Sequence, residues 1–186
     1  MDDVNFALFK KGEDKMKKYL ISLLSVLTIF ACLSCNAEAP ISKVPAEVME
    51  CYELVNIFRT GEEAYYWNED NTAIVNLVGK LDKLQLDDKL CKAAAIRAKE
   101  IVKEFSHTRP NGKKWSTVFG ELKISYSACG ENIAAGYSSG KATFNQWKED
   151  GEKYIGQGHR RNMLSGDFTK IGIAFVAAPG STYGYY

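Results

Sequence analysis

The order of the sequence patterns predicts an α+β domain, with helices early and strands late. Between residues 45 and 105 apolar residues recur at helical spacing, whereas Ile171, Ile173 and Phe175 alternate with Gly172, Ala174 and Val176, as in a strand packed on both faces. Nothing alternates strand with helix in the way that βαβ units require. The composition agrees: 46% of the 186 residues are hydrophobic and 25% charged, which excludes a wholly disordered chain and a polytopic membrane protein. Lysine plus arginine is 24 and aspartate plus glutamate 23. The first 35 residues hold five of the positive and four of the negative charges, leaving 19 of each in the body. A body without basic excess is a poor partner for nucleic acid.

The elements follow in order. Pro45 opens a helix to about Arg59, in which Val48, Cys51, Tyr52, Val55 and Phe58 share one face. Gly61 interrupts it, and Asn68 to Asn71 is a turn cluster. Ala73 to Val78 reads as a helical turn or part of a surface element. Asp87-Asp88 opens the clearest helix, since acids suit a helix N-terminus; Leu90, Ala94, Ala98, Ile101 and Phe105 line its face. Ser106 to Gly112 is a turn, with Arg109 biased away from helix by Pro110. Trp115 to Phe119 fits a further helical turn. Lys141 to about Asp150 reads as a helix with Phe144 and Trp147 inward. After the late strand, Pro179-Gly180 turns the chain toward another strand beginning at Tyr183 to Tyr186.

Residues 1–35 are expected to be leader rather than fold. Met16-Lys17-Lys18 is a basic start, and the apolar run Tyr19 to Leu33 is about 15 residues long, where a membrane span needs roughly 20. That suits an export signal peptide, with Met16 as the expected start and residues 1–15 as an upstream extension. An uncut anchor helix is the alternative. A cysteine after a small residue at the end of the run resembles the bacterial lipoprotein signal; Cys35 is favoured, then Cys32, because Asn36 to Pro45 reads as a tether. Several acyl chains would then hold the protein at a membrane. Plain secretion is the competing reading. The expected organisation is leader 1–35, tether 36–46 and domain 47–186. Cys51, Cys91 and Cys129 remain in the body, an odd number; a Cys51–Cys91 bridge is left open.

The body has two histidines, His107 and His159, both in loops at element ends, where sites are built. Glu131 lies between Gly130 and Asn132. Glu149 and Asp150 close the helix that carries Trp147, an unfavourable place for acids unless a cation or metal compensates. Arg109, Arg160 and Arg161 could meet an anionic ligand or be solvated. No G-x-S-x-G elbow or H-E-x-x-H helix is present.

Four segments in order resemble one family: Ser106-His107-Thr108-Arg109-Pro110-Asn111-Gly112, Gly130-Glu131-Asn132-Ile133-Ala134, Trp147-Lys148-Glu149-Asp150 and Gly158-His159-Arg160-Arg161-Asn162-Met163-Leu164. From about residue 48 onward the chain resembles the CAP superfamily (cysteine-rich secretory proteins, antigen 5 and pathogenesis-related proteins, or SCP-like), in its bacterial branch. The resemblance implies a three-layer α-β-α sandwich with a small antiparallel sheet. The family's final aromatic strand would begin near Tyr186, so the sheet is expected to lack it. The resemblance also implies a cleft of two histidines and two acids, carried over as His107, Glu131, Asp150 and His159. His107 and His159 could ligate Zn2+ or another divalent cation, with the acids orienting the rings or holding a bound water. The function expected is that of an exported, lipid-anchored surface module binding a lipid, a peptide or an envelope component. The alternatives are a metal-assisted hydrolase, most plausibly a peptidase, using the same cleft, and a structural envelope protein.

Overall fold

The computed structural model describes residues 44–186 and, as backbone only, the strand at residues 7–9. The expected export run, the lipid-bearing Cys32 or Cys35 and most of the tether lie outside the described residues.

The strand β1 (Ala7–Phe9) is followed by helix α1 (Ala46–Thr60), strands β2 (Tyr65–Trp67), β3 (Ile74–Asn76) and β4 (Gln85–Leu86), and helix α2 (Asp88–Ile101). Then come the short helix α3 (Val118–Glu121), strand β5 (Cys129–Gly130), helices α4 (Gly140–Lys148) and α5 (Gly158–Met163), and strand β6 (Lys170–Gly172). The main sheet has the order β4-β6-β1-β5; β1 is antiparallel to both neighbours and β4 is parallel to β6. A separate hairpin pairs β2 with β3. Helix α2 packs on β6, and α1 packs on α4. This is the α-β-α arrangement that the resemblance implies.

The helices form for the reasons the sequence gives. Asp87 caps α2 by accepting hydrogen bonds from the backbone N–H of Lys89 (3.0 Å) and Leu90 (3.2 Å). Ser139 does the same for α4 through Ala142 N–H, at 3.1 Å. Val48, Cys51, Val55 and Phe58 of α1 are buried, as are Leu90, Ala94, Ala98 and Ile101 of α2, and Phe144 and Trp147 of α4. Two glycines let layers touch. A Cβ at Gly140 would lie 2.1 Å from the Glu47 carbonyl oxygen of α1, and one at Gly172 would lie 2.1 Å from the Leu90 backbone.

Three segments differ from expectation. Ala73 to Val78 contains β3, paired with the aromatic strand β2, because the turn at Asn68–Asn71 folds one onto the other; Asn68 Oδ1 accepts from Thr72 and Ala73 N–H. The late strand pairs with the sheet only over Lys170–Gly172; farther on, Val176 and Tyr186 exchange two backbone hydrogen bonds across the Pro179-Gly180 turn. Finally, β1 lies within the segment expected to be leader, and it occupies the sheet beside β6. The three body cysteines are free thiols, with Cys51 buried. Among the described residues no helix is long and apolar enough to cross a membrane.

Candidate functional site

The site begins with a buried cation. Arg97 lies on α2, four residues before Ile101 and three after Ala94, so the helix turns it toward the apolar side, where it is 2% exposed. Its Nε donates to Glu131 Oε2 at 2.8 Å and its Nη2 to Glu131 Oε1 at 3.3 Å. Nη1 donates to Glu100 at 2.6 Å and Nη2 to the Ser106 carbonyl at 2.8 Å. One guanidinium thus fixes the carboxylate and the loop that carries His107. Burial alone would lower its proton affinity; the bonds from Glu131 and Glu100 outweigh this and leave it raised.

Glu131 in turn holds His107, whose Nδ1 lies 2.7 Å from Oε1. The His107 loop owes its shape to Arg109, which is 5% exposed. Arg109 donates to Glu100 (2.7 Å), Glu121 (2.5 Å) and Thr117 (3.0 Å), and Gly112 closes the turn at φ 78°.

The opposite wall is built where α4 ends. Glu149 takes a left-handed conformation, φ 49°. Its Oε2 accepts from the backbone N–H of His159 (3.0 Å) and Arg160 (3.2 Å), and its Oε1 pairs with His159 Nδ1. The expectation that Asp150 is the second cleft acid is therefore corrected. The reversal at Glu149 sends that carboxylate to His159, and Asp150 faces Arg160 (2.7 Å) and Lys148 (2.9 Å) instead. Burial would raise the Asp150 pKa, but bonds from Lys148 and Arg160 hold it below its ordinary value. These partners also settle why two acids stand at a helix end: side-chain cations answer one and the first turn of α5 answers the other.

The floor joins the walls. Asn162 of α5 donates to the Glu131 carbonyl (3.3 Å) and to Asn132 Oδ1 (2.8 Å), and Asn132 donates to the His159 carbonyl (3.3 Å). A Cβ at Gly130 would sit 2.6 Å from Asn162 Oδ1, so a larger residue there would displace the Asn162 amide from these bonds. Together the walls and floor enclose an open cleft of about 540 Å³. Its lining includes His107, Glu131, Glu149, His159, Glu152 and Ile155. The structure thus brings together His107, Glu131 and His159 as expected, with Glu149 in the place expected for Asp150.

The arginines do not form an anion site. Arg109 and Arg160 are buried, and Arg160 is spent on the carbonyls of Tyr65, Glu63 and Lys148 besides Asp150. Arg161 donates to the Tyr154 carbonyl and lies 3.9 Å over that ring. Cys129 does not line the cleft, and burial raises its thiol pKa, the wrong direction for a nucleophile. Among the described residues no three His, Cys, Asp or Glu side chains are grouped to hold a metal ion. Two imidazoles fall short of the three or four protein ligands of a zinc centre, so the cleft as it stands does not fit a tightly held zinc.

Comparison with known proteins places this geometry. A solved structure, a cysteine-rich secretory protein (SAV1118) from Staphylococcus aureus subsp. aureus Mu50, superposes with TM-score 0.52 at 16% identity, over 79% of this chain and 39% of that one, a likeness of fold alone. The uncharacterized protein YkwD of Bacillus subtilis (strain 168) is 31% identical over 98 residues, 52% of this chain. The chain spans 36% of that relative's length. The family profile described as CAP, the cysteine-rich secretory protein family, matches residues 52–186. By the order of its motifs, its fold and this match, the chain belongs to the CAP family, in its bacterial form.

Proposed function

We propose that this CAP domain is exported, held at the cell envelope by lipid on Cys35, and presents its cleft as a binding module for a surface or extracellular ligand. The observation that supports binding is the make-up of the cleft. It is open and polar, its two imidazoles are held through Nδ1 by carboxylates, and no serine, threonine or cysteine lines it among the described residues. Ligand recognition needs such prepositioned polar groups. Acyl transfer to a side chain would need a nucleophile beside a base. A divalent cation, if bound, would rest on His107 and His159 with water completing its shell. Such a cation would be held weakly and exchange readily.

One observation favours a second reading, hydrolysis. A carboxylate on Nδ1 orients an imidazole for acid–base work through its other nitrogen. The two readings separate in one experiment on the purified full chain, His107→Ala and His159→Ala: incubation with a mixed peptide library, with and without zinc. Binding as the main role predicts no turnover by any of the three. Turnover by the wild type that disappears in both variants would establish the hydrolase instead. For the envelope reading, labelled palmitate should enter the wild type and not a Cys32/Cys35 double serine variant; equal labelling would refute it.

A further inference from the structure

The main sheet is assembled from distant parts of the chain. Strands β4, β5 and β6 all belong to the body, yet β5 and β6 do not touch: β1, from the far N-terminus, lies between them. Its register is Leu8 opposite Gly130 and Phe9 opposite Cys129 on one side, and Ala7, Leu8 and Phe9 opposite Gly172, Ile171 and Lys170 on the other. Without β1, β6 keeps only its parallel partner β4, and β5 keeps no partner in the sheet. The residue that follows β5 is Glu131, the carboxylate that holds His107. The side chain of Glu131 is fixed by Arg97, and among the described strands the one leading into it pairs only with β1.

We propose that the gap between β5 and β6 is a strand-acceptor slot, that residues Ala7–Phe9 fill it within the same chain, and that their presence sets the Glu131 wall of the cleft. An extended segment inserted between two unpaired edges is recognised by backbone hydrogen bonds, with little demand on sequence. The slot therefore accepts a short apolar strand, which is what Ala7–Phe9 offers. Cleavage ahead of Cys35 would remove that strand. In the processed form the slot is open, and the Glu131 side chain is then held by Arg97 without the strand beside it. This inference stands on the sheet pairing and does not depend on which ligand the cleft takes.

The register supplies the test. Residues directly opposite in an antiparallel pair share a face, with Cα atoms about 4.5–5.5 Å apart, within the range of a disulfide. The full chain carrying Phe9→Cys, under mild oxidation, should form a bond between residues 9 and 129 within one monomer, read by peptide mass and lost in Cys129→Ser. Absence of that bond, or its formation only between two chains, overturns the proposal. Leu8→Pro is the second variant, because proline is not accommodated in an interior strand. Amide exchange at Gly130 and Glu131 should accelerate at least tenfold while α1 and α4 stay protected, and a synthetic peptide of residues 5–11 should restore protection. Unchanged exchange at Gly130 and Glu131 would refute the coupling. Should Leu8→Pro fail to fold, the Phe9→Cys result decides alone.

Discussion

Glu131→Ala is expected to destabilise the fold much more than it alters the surface. The Glu131 side chain is 2% exposed, and so is that of Arg97, which donates to both carboxylate oxygens at 2.8 and 3.3 Å. Removing one member of a buried ion pair strands the other, at a cost of about 3–5 kcal/mol. For a domain of this size that is a fall in Tm of roughly 6–20 °C. Arg97 retains Glu100 and the Ser106 carbonyl, which places the expected loss toward the lower end. His107 is a different case. Its side chain is 38% exposed and can turn to water, so His107→Ala should cost less than about 1.5 kcal/mol. The assay is urea unfolding followed by tryptophan fluorescence, on both variants and on an Arg97→Met/Glu131→Leu pair. The paired replacement should recover part of the loss, since apolar groups leave no stranded charge. A loss under about 1 kcal/mol for Glu131→Ala, or a loss equal to that of His107→Ala, would refute the ranking of Arg97–Glu131 as the internal anchor.

Other outcomes are open to measurement. Trp147, 2% exposed, should cost about 3–5 kcal/mol when truncated to alanine; a thermal scan showing less than about 1 kcal/mol would mean that α4 is turned outward. Gly140→Ala forces a Cβ to 2.1 Å from the Glu47 carbonyl and should lose about 1–3 kcal/mol by unfolding titration, with Gly151→Ala, which meets nothing, as the neutral control. The Glu100 carboxyl is pushed up by burial but held below its ordinary value of 4.5 by the bonds from Arg109 and Arg97, which outweigh it. Its folded pKa is therefore the lower one: the stability it adds is present above about pH 4.5 and lost as pH falls through the folded value, so Glu100→Gln should flatten the acid limb of a Tm-against-pH curve. Zinc titration followed by calorimetry should give weak binding to the wild type and weaker still to His107→Ala; equal binding by both would remove His107 from any cation site.

Helices α1, α2 and α4 were legible because each carries an apolar stripe, and Asp87 before α2 is a plain start signal; α5, six residues long and without a side-chain cap, was not, and His159 was expected in a loop. The hairpin of β2 and β3 was less so, since strands of three residues are too short to show a period. Within the cleft, His107, Glu131 and His159 could be found from their motifs. Choosing Asp150 over Glu149 went wrong for a backbone reason: a left-handed residue at the end of α4 turns its side chain through an angle that helical spacing does not anticipate. Arg97 is absent from the expected site, although its spacing to Ala94 and Ile101 puts it on the apolar side of α2, a signal sufficient to pick it out. No local pattern announces β1, because pairing across more than one hundred residues is a property of the sheet rather than of Ala7–Phe9.

Arg59 carries a consequence for how the protein comes apart. It is 1% exposed, and its donors end on three carbonyls: Asp82 at 3.1 Å, Met163 at 2.5 Å and Ser165 at 3.0 Å. Burial lowers its proton affinity to about 10, a Coulombic pull from Asp82 opposing it. These carbonyls come from segments 23 and more than 100 residues away along the chain. A buried charge held chiefly by main-chain carbonyls cannot lose one segment without meeting low dielectric or water. The loop at residue 82 and the turn after α5 are therefore obliged to open together with the end of α1. Partial openings that free only one of them are disfavoured, since each leaves the guanidinium short of an acceptor. The cleft shares this dependence, because His159 lies on the helix that ends at Met163.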